Sequence, residues 1–203
     1  MLRYVSLLAV VATAISAACT DGKENAFTLA NVNDASLSIH FENVVVQTYD
    51  ANMQPVCEKN APSLNLPGVI KLVSGDIKVT AANDLSQDEA DLSLKKDSLL
   101  VGTVCDNGKS KNPILPDKDC KITDVCSLLG ADLCKLMGTP GTYDLATIEK
   151  DLNITSTITL PNINGAINSI LKGNWQVGIS LNGGGKTIGQ IKLPGNADWI
   201  YIN

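Results

Sequence analysis

From Leu152 to Leu160 the chain alternates without a break: Leu152, Ile154, Ser156, Ile158 and Leu160 against Asn153, Thr155, Thr157 and Thr159. A side-chain repeat of two belongs to extended backbone, so the pattern predicts a strand with one face in a core and one in water. A second alternation sets Trp175, Val177, Ile179 and Leu181 against Gln176, Gly178 and Ser180. NGGGK then turns the chain and TIGQIKL returns it, which predicts a hairpin. SLSIHFENVVVQTY, GVIKLVSGDIKVTA and ADLSLKKDSLLVGTV are strand-like as well. The first places Leu37, Ile39 and Phe41 on one face and shifts phase near Val44 to Val46, as a bulge would. Only DVCSLLGADLCKLM has a helical pattern, and it is short. The expected fold is all-β, seven to nine strands in a two-sheet, immunoglobulin-like sandwich.

With 44% hydrophobic and only 4% aromatic residues, the core of such a fold is built from Leu, Ile, Val and Ala. The net charge of −5 supplies no basic face to neutralise phosphates, so a nucleic-acid partner is excluded. Residues 1–18 are read as a signal peptide: Arg3, the apolar VSLLAVVATAIS, and small residues at Ser16 and Ala18 before Cys19. A lipoprotein signal is the rival, since it too is cleaved before a Cys, but Ser16 stands where Leu is usual. Either way the chain is exported, and the apolar run is too short to span a bilayer. In an oxidising compartment the six cysteines (Cys19, Cys57, Cys105, Cys120, Cys126, Cys134) favour three disulfides. A zinc site is disfavoured by the absence of a C-x-x-C knuckle and by a single histidine, His40. Asn153-Ile154-Thr155 is a glycosylation sequon, with Asn153 on the polar face.

Catalytic patterns are missing. NGGGKT resembles the end of a phosphate-binding loop, but Ser180 stands where the first glycine belongs, and IGQIKL reads as a strand, not a helix. No nucleophile, base and orienting group assemble, and Asp88, Glu89 and Asp91 read as a solvated turn. An enzyme is therefore not expected. The Cys-rich middle carries two Cys-bounded loops, one exposing Ile114 and Leu115 beside two prolines, the other holding Leu128, Leu129 and Leu133.

LPNINGAINSILKGNW, Leu160 to Trp175, is rich in Asn and Gly yet holds Ile163, Ile167, Ile170 and Leu171. At 100° per residue these four fall within an arc of about 100°, with Pro161 before and Gly173 after. A short helix follows, too short to stand alone. Its stripe either docks on the protein's own core or lies at the mouth of an apolar cavity.

From about Val69 to Leu193 the order of features resembles the ML lipid-recognition domain family. ADLSLKKDSLLVGTVC leads to a clipped loop, then DVCSLLG, GTPGTYDL, a strand, an apolar loop and GNWQVGISLNGGGKTIGQIKL. The resemblance implies a β-sandwich or cup whose sheets enclose an apolar cavity for a lipid, in secreted or lysosomal and endosomal proteins that are not enzymes and use no cofactor or metal. By position it implies the pairs Cys105–Cys120 and Cys126–Cys134. The family's remaining partner, in the last strand, corresponds here to Gln190, which leaves Cys19 for Cys57. The lipid-binding domain is then 57–203, and 19–56 is either an N-terminal extension or a divergent first pair of strands.

The expected function is lipid binding and transfer, the ligand a sterol, phospholipid or glycolipid. Expected wall residues are Leu99, Leu100, Val104, Ile158, Leu160, Trp175, Val177 and Ile179, which could equally be plain core. Expected rim residues are Ile114, Leu115, Leu128, Leu129, Ile163, Ile167, Ile170 and Leu171. Transient contact with a membrane surface is part of this reading. The alternative is a protein–protein module that turns the same apolar rim to a hydrolase or a receptor.

Overall fold

A computed structural model describes residues 19–85, 89–113, 115–162, 171–195 and 198–203. The proposed signal peptide, Ile114, Ile163, Ile167 and Ile170 lie outside these residues. The chain opens with β1 (Ala26–Thr28) and β2 (Ile39–Asp50), then β3 (Cys57–Glu58), β4 (Ala61–Leu64) and β5 (Gly68–Val79). The middle holds β6 (Glu89–Lys96), β7 (Thr103–Asp106), β8 (Lys109–Ser110), a 3-10 turn (Asp117–Cys120) and β9 (Lys121–Ile122). Next come α1 (Val125–Leu129), α2 (Ala131–Gly138), β10 (Gly141–Asp144), α3 (Ile148–Leu152) and β11 (Thr157–Leu160). The hairpin β12 (Gly173–Gly183) and β13 (Lys186–Leu193) follows, and β14 (Ile200–Ile202) comes last.

The fold is all-β, and its two layers are two halves of one sheet folded over a common core. In one half β2 pairs with β5 along nearly its whole length, with β1 on β2 and with β10 and β11 on β5. In the other, β12 lies between β13 and β6, and β6 carries β7 and β9. The halves meet through one parallel pair, Gly189 with Ile39. A β-carbon at Gly189 would lie 3.2 Å from that of Ile39 and 3.3 Å from Leu181 Cδ1, so glycine permits the approach. Ser38 N–H donates to the Ile188 carbonyl and Ala30 N–H to that of Lys192, which laces the seam further. β2, within the 19–56 segment, is thus a central strand.

The phase shift expected in β2 is present. Ile39 and Phe41 point inward, the register slips after Glu42, and Val44 and Val46 take over the inner face. Asn43 makes the slip with a left-handed φ of 53°. Its amide donates to Asn31 Oδ1 at 2.7 Å. Gly75 lies opposite with φ 94°, and a β-carbon there would meet the Asn43 carbonyl oxygen at 2.5 Å.

The run from Leu152 to Leu160 needs correction. Only Thr157–Leu160 is strand; Ile148–Leu152 is helix, and Asn153 ends it in the left-handed region. Ile148 is buried while Leu152 is 49% exposed. The helix forms because the Glu149 carboxylate accepts from the hydroxyl of buried Ser156 at 2.6 Å and from its amide at 3.3 Å, bonds that a strand beginning at Leu152 would forgo. The expected helical segment DVCSLLGADLCKLM is two helices, divided at Gly130 by a φ of 83°. Asp124 caps the first, accepting from Ser127 N–H at 2.9 Å.

Gly75→Ala should lower stability by about 2 kcal/mol, read as a denaturation midpoint, because strain and a backbone clash coincide. Gly184→Ala, at φ 59° in the open hairpin turn, should cost about 1 kcal/mol. The bonds from Ser156 hold the Glu149 carboxyl below its ordinary value. Its contribution is therefore complete above the unfolded pKa and is lost as pH falls through the lower folded value. Glu149→Gln should cost at most about 1 kcal/mol at pH 7, since the exposed carboxylate is screened, and the difference from wild type should shrink in acid unfolding curves.

Candidate apolar binding site

Between the two halves lies a cavity of about 140 Å³. Every described residue lining it is apolar. β2 and β5 supply Phe41, Val46, Ile70, Leu72 and Ile77; β12 and β13 supply Ile179, Leu181, Ile191 and Leu193. Alternation explains the selection, because positions i and i+2 share a face. β11 contributes Ile158 and Leu160, and β6 contributes Ala90. α1 and α2 add Val125, Leu128, Leu129, Leu133 and Met137 to the wall.

The apolar face continues past the cavity. Along β12 and β6 the cross-strand pairs are Leu181–Ala90, Ile179–Leu92, Val177–Leu94 and Trp175–Lys96. Leu92 and Leu94 line a groove of about 320 Å³ with Val104, Leu115, Leu171 and Trp175. Ile179 and Leu92 face each other across the strands, so cavity and groove abut. The groove differs in having a polar edge, formed by Asn112, Lys118, Asp119 and Lys121. Lys121 Nζ lies 2.6 Å from Glu89 Oε1 and 3.5 Å from Asp91 Oδ1, and the Glu89 contact raises the ammonium pKa. Trp175 is buried; its indole N–H donates to the Leu171 carbonyl, and Lys96 Nζ sits 5.5 Å from its ring centre.

The sequence-predicted residues therefore divide. Leu128, Leu129, Ile158, Leu160 and Ile179 come together in the cavity. Val104, Leu115, Leu171 and Trp175 come together in the groove. Val177 lines a separate cleft with Lys95, Gln176 and Lys192. Leu99 and Leu100 are a correction: they are not wall residues but stand fully exposed, 108% and 98%, in the turn between β6 and β7. The strand-like run that contains them breaks at Asp97, where the backbone turns. The cavity residues of β2 and β5 were missed. Their alternation was visible, but which strands face across the interior is a matter of topology.

The disulfides are Cys19–Cys57, Cys105–Cys120 and Cys126–Cys134. They make this a disulfide-clipped all-β cup around an apolar cavity, a construction suited to an oxidising, extracellular or lumenal compartment. Among the described residues no helix is long and apolar enough to cross a membrane. Cys19, Glu24 and Cys57 lie close enough to share a metal ion, but both sulfurs are spent in the disulfide. The sequon residue Asn153 is exposed, and the NGGGK segment forms the β12–β13 turn, with positive φ at Gly184 and Gly185. Compared with models of protein families and with curated proteins, the chain matches none.

Ile158→Asp, which puts a charge against the cavity, should cost about 3 kcal/mol. Thr159→Asp, exposed on the next residue, should stay within about 0.5 kcal/mol. Urea midpoints of the two variants measure the difference.

Proposed function

We propose that the protein is a lipid-binding protein of the ML type, which takes the apolar chain of a lipid between its two sheet halves and carries or presents it. One observation carries the reading: among the described residues, the cavity between the halves is lined by apolar side chains alone. Such a lining recognises hydrocarbon and nothing with polarity. Among the described residues, no acid, base or nucleophile borders the cavity. The disulfide pairs Cys105–Cys120 and Cys126–Cys134 support the likeness to the ML family.

At about 140 Å³ the cavity is near the size that admits a benzene-like molecule. A longer chain would continue along Ile179 and Leu92 into the groove below Trp175, leaving its polar end beside Lys118 and Lys121. Sterol, phospholipid and glycolipid all have the required apolar portion. Secretion, or residence in a lysosomal or endosomal lumen, fits a protein held by three disulfides, and presentation to a hydrolase or receptor fits a carrier.

Native mass spectrometry of the purified protein should show a co-purified lipid. Displacement of a fluorescent apolar probe such as N-phenylnaphthylamine gives the quantitative test. Ala90→Leu fills the cavity from a buried wall position. It should weaken probe and lipid binding at least tenfold while leaving the melting temperature unchanged or raised. No co-purified lipid together with unaltered probe binding in Ala90→Leu would sink the proposal.

A further inference from the structure

The Cys126–Cys134 bridge has the apolar cavity on one side of its helices and water on the other. Toward the cavity, α1 and α2 supply five wall residues, Val125, Leu128, Leu129, Leu133 and Met137. Away from it, both cysteines line a solvent-open cleft of about 400 Å³ whose walls include Leu85. Cys126 is half-buried there. Cys105 and Cys120, by contrast, are sealed in the core, 1% and 0% exposed. Cys19 and Cys57 are half-buried too, but neither borders the cavity. Of the three bridges, Cys126–Cys134 is the one that joins access from solvent to a place beside the cavity wall.

What this bridge holds is local. Its cysteines are 8 residues apart, against 15 and 38 for the other two. The shortest loop restricts the unfolded chain least, so the fold as a whole depends on this link least. The two helices depend on it more, because five and eight residues do not persist as helix by themselves. They meet at Gly130, whose φ of 83° suits glycine, and beyond its chain neighbours no heavy atom lies within 4 Å of where a β-carbon would be. Gly130 is therefore an unpacked pivot, and the bridge spans it. A partner for the reduced state is also in place. The Leu85 carbonyl oxygen lies 3.3 Å from Cys126 Sγ. A disulfide sulfur has no hydrogen to donate to that oxygen, whereas a thiol does.

We infer that Cys126–Cys134 is a redox latch on the cavity wall, opened by a dithiol reductant. A thiolate of the reductant attacks the Cys126 sulfur, and Cys134 leaves as its thiolate. The second thiol of the reductant then displaces Cys126 from the mixed disulfide. The bridge gains two electrons, the dithiol closes to a disulfide, and its two protons end on the two cysteines. With the link gone, α1 and α2 turn about Gly130 and their apolar residues no longer close the cavity. That a bound lipid chain leaves by this opening rests on the carrier reading above; the opening of the wall does not.

The test is a titration of the purified protein with dithiothreitol, with free thiols trapped by iodoacetamide and mapped by mass. Cys126 and Cys134 should be labelled at a reductant concentration about tenfold below the one that labels Cys105 and Cys120, while the far-UV circular dichroism of the sheet stays unchanged. Amides of α1 and α2 should then exchange with solvent about tenfold faster, and those of β2 and β5 as before. N-phenylnaphthylamine should bind about fivefold more weakly, and reoxidation should restore its affinity. Cys126→Ser/Cys134→Ser should match the reduced wild type without reductant, and dithiothreitol should change it no further. Earlier labelling of Cys105 and Cys120, loss of the sheet signal on reduction, or unchanged exchange in α1 and α2 would each overturn the latch. So would a further fall in probe binding when the double variant meets dithiothreitol. If the oxidised protein binds no probe, the carrier reading fails, and the exchange measurement still decides the latch.

Discussion

The approach of Gly189 to Ile39 is the contact on which the rest of the architecture depends. Each half of the sheet has ample antiparallel pairing of its own, but among the described residues only this one parallel pair joins β2 to β13 in the ladder. Ile39 is fully buried there, beside Leu181 and Ile188, so the seam is also a point of close packing. A larger residue at position 189 would require Ile39 or Leu181 to give way by a few tenths of an ångström. The close approach of the two halves here thus relies on the absence of one side chain.

Away from the seam, closure is completed by elements that have little regular structure. α1 and α2 are only five and eight residues long, too short to persist by themselves. The Cys126–Cys134 bridge ties one to the other, and their apolar residues complete the cavity wall. Cys105–Cys120 closes a fifteen-residue separation, for which the chain-entropy account gives about 3 kcal/mol. Cys19–Cys57 anchors the segment that precedes β1 against the strand pair β3–β4. An aliphatic core with few aromatics can leave such loops in place because covalent links limit what the unfolded chain explores.

The chemistry of the interior is governed by what is absent from its wall. Among the described residues no hydrogen-bond donor or acceptor side chain borders the cavity, so those residues offer affinity only to hydrocarbon. Polar recognition is displaced to the edge of the groove, where Lys121 is held by Glu89 and Asp91. Asp91 Oδ2 in turn accepts from Asn182 Nδ2 at 2.7 Å. Along β6 alternation sets Glu89 and Asp91 opposite Ala90, Leu92 and Leu94, with Lys96 over Trp175 at the end of the apolar face.

Much of this was legible in the residue pattern. Strict alternation identified β12 and β11, a triple glycine identified the turn between β12 and β13, and a change of phase located the bulge in β2. Local physics suffices in these cases, because each signal is complete within about ten residues. Leu152 shows the limit: its alternation with Ile154 is genuine, yet the bonds between Glu149 and Ser156 draw the chain into a helix. Leu99 and Leu100 show another, since period two continues to the end of β6 and cannot reveal where the backbone turns away from the core. The sequence by itself determined the all-β class, the aliphatic character of the interior and an even set of cysteines for an oxidising compartment. Only the tertiary structure decided that Phe41, Leu72, Ile158 and Ile179 line the same cavity. Those residues are far apart along the chain, and what brings them together is the pairing of β2 with β5 and the seam at Gly189, neither of which is encoded by any one segment.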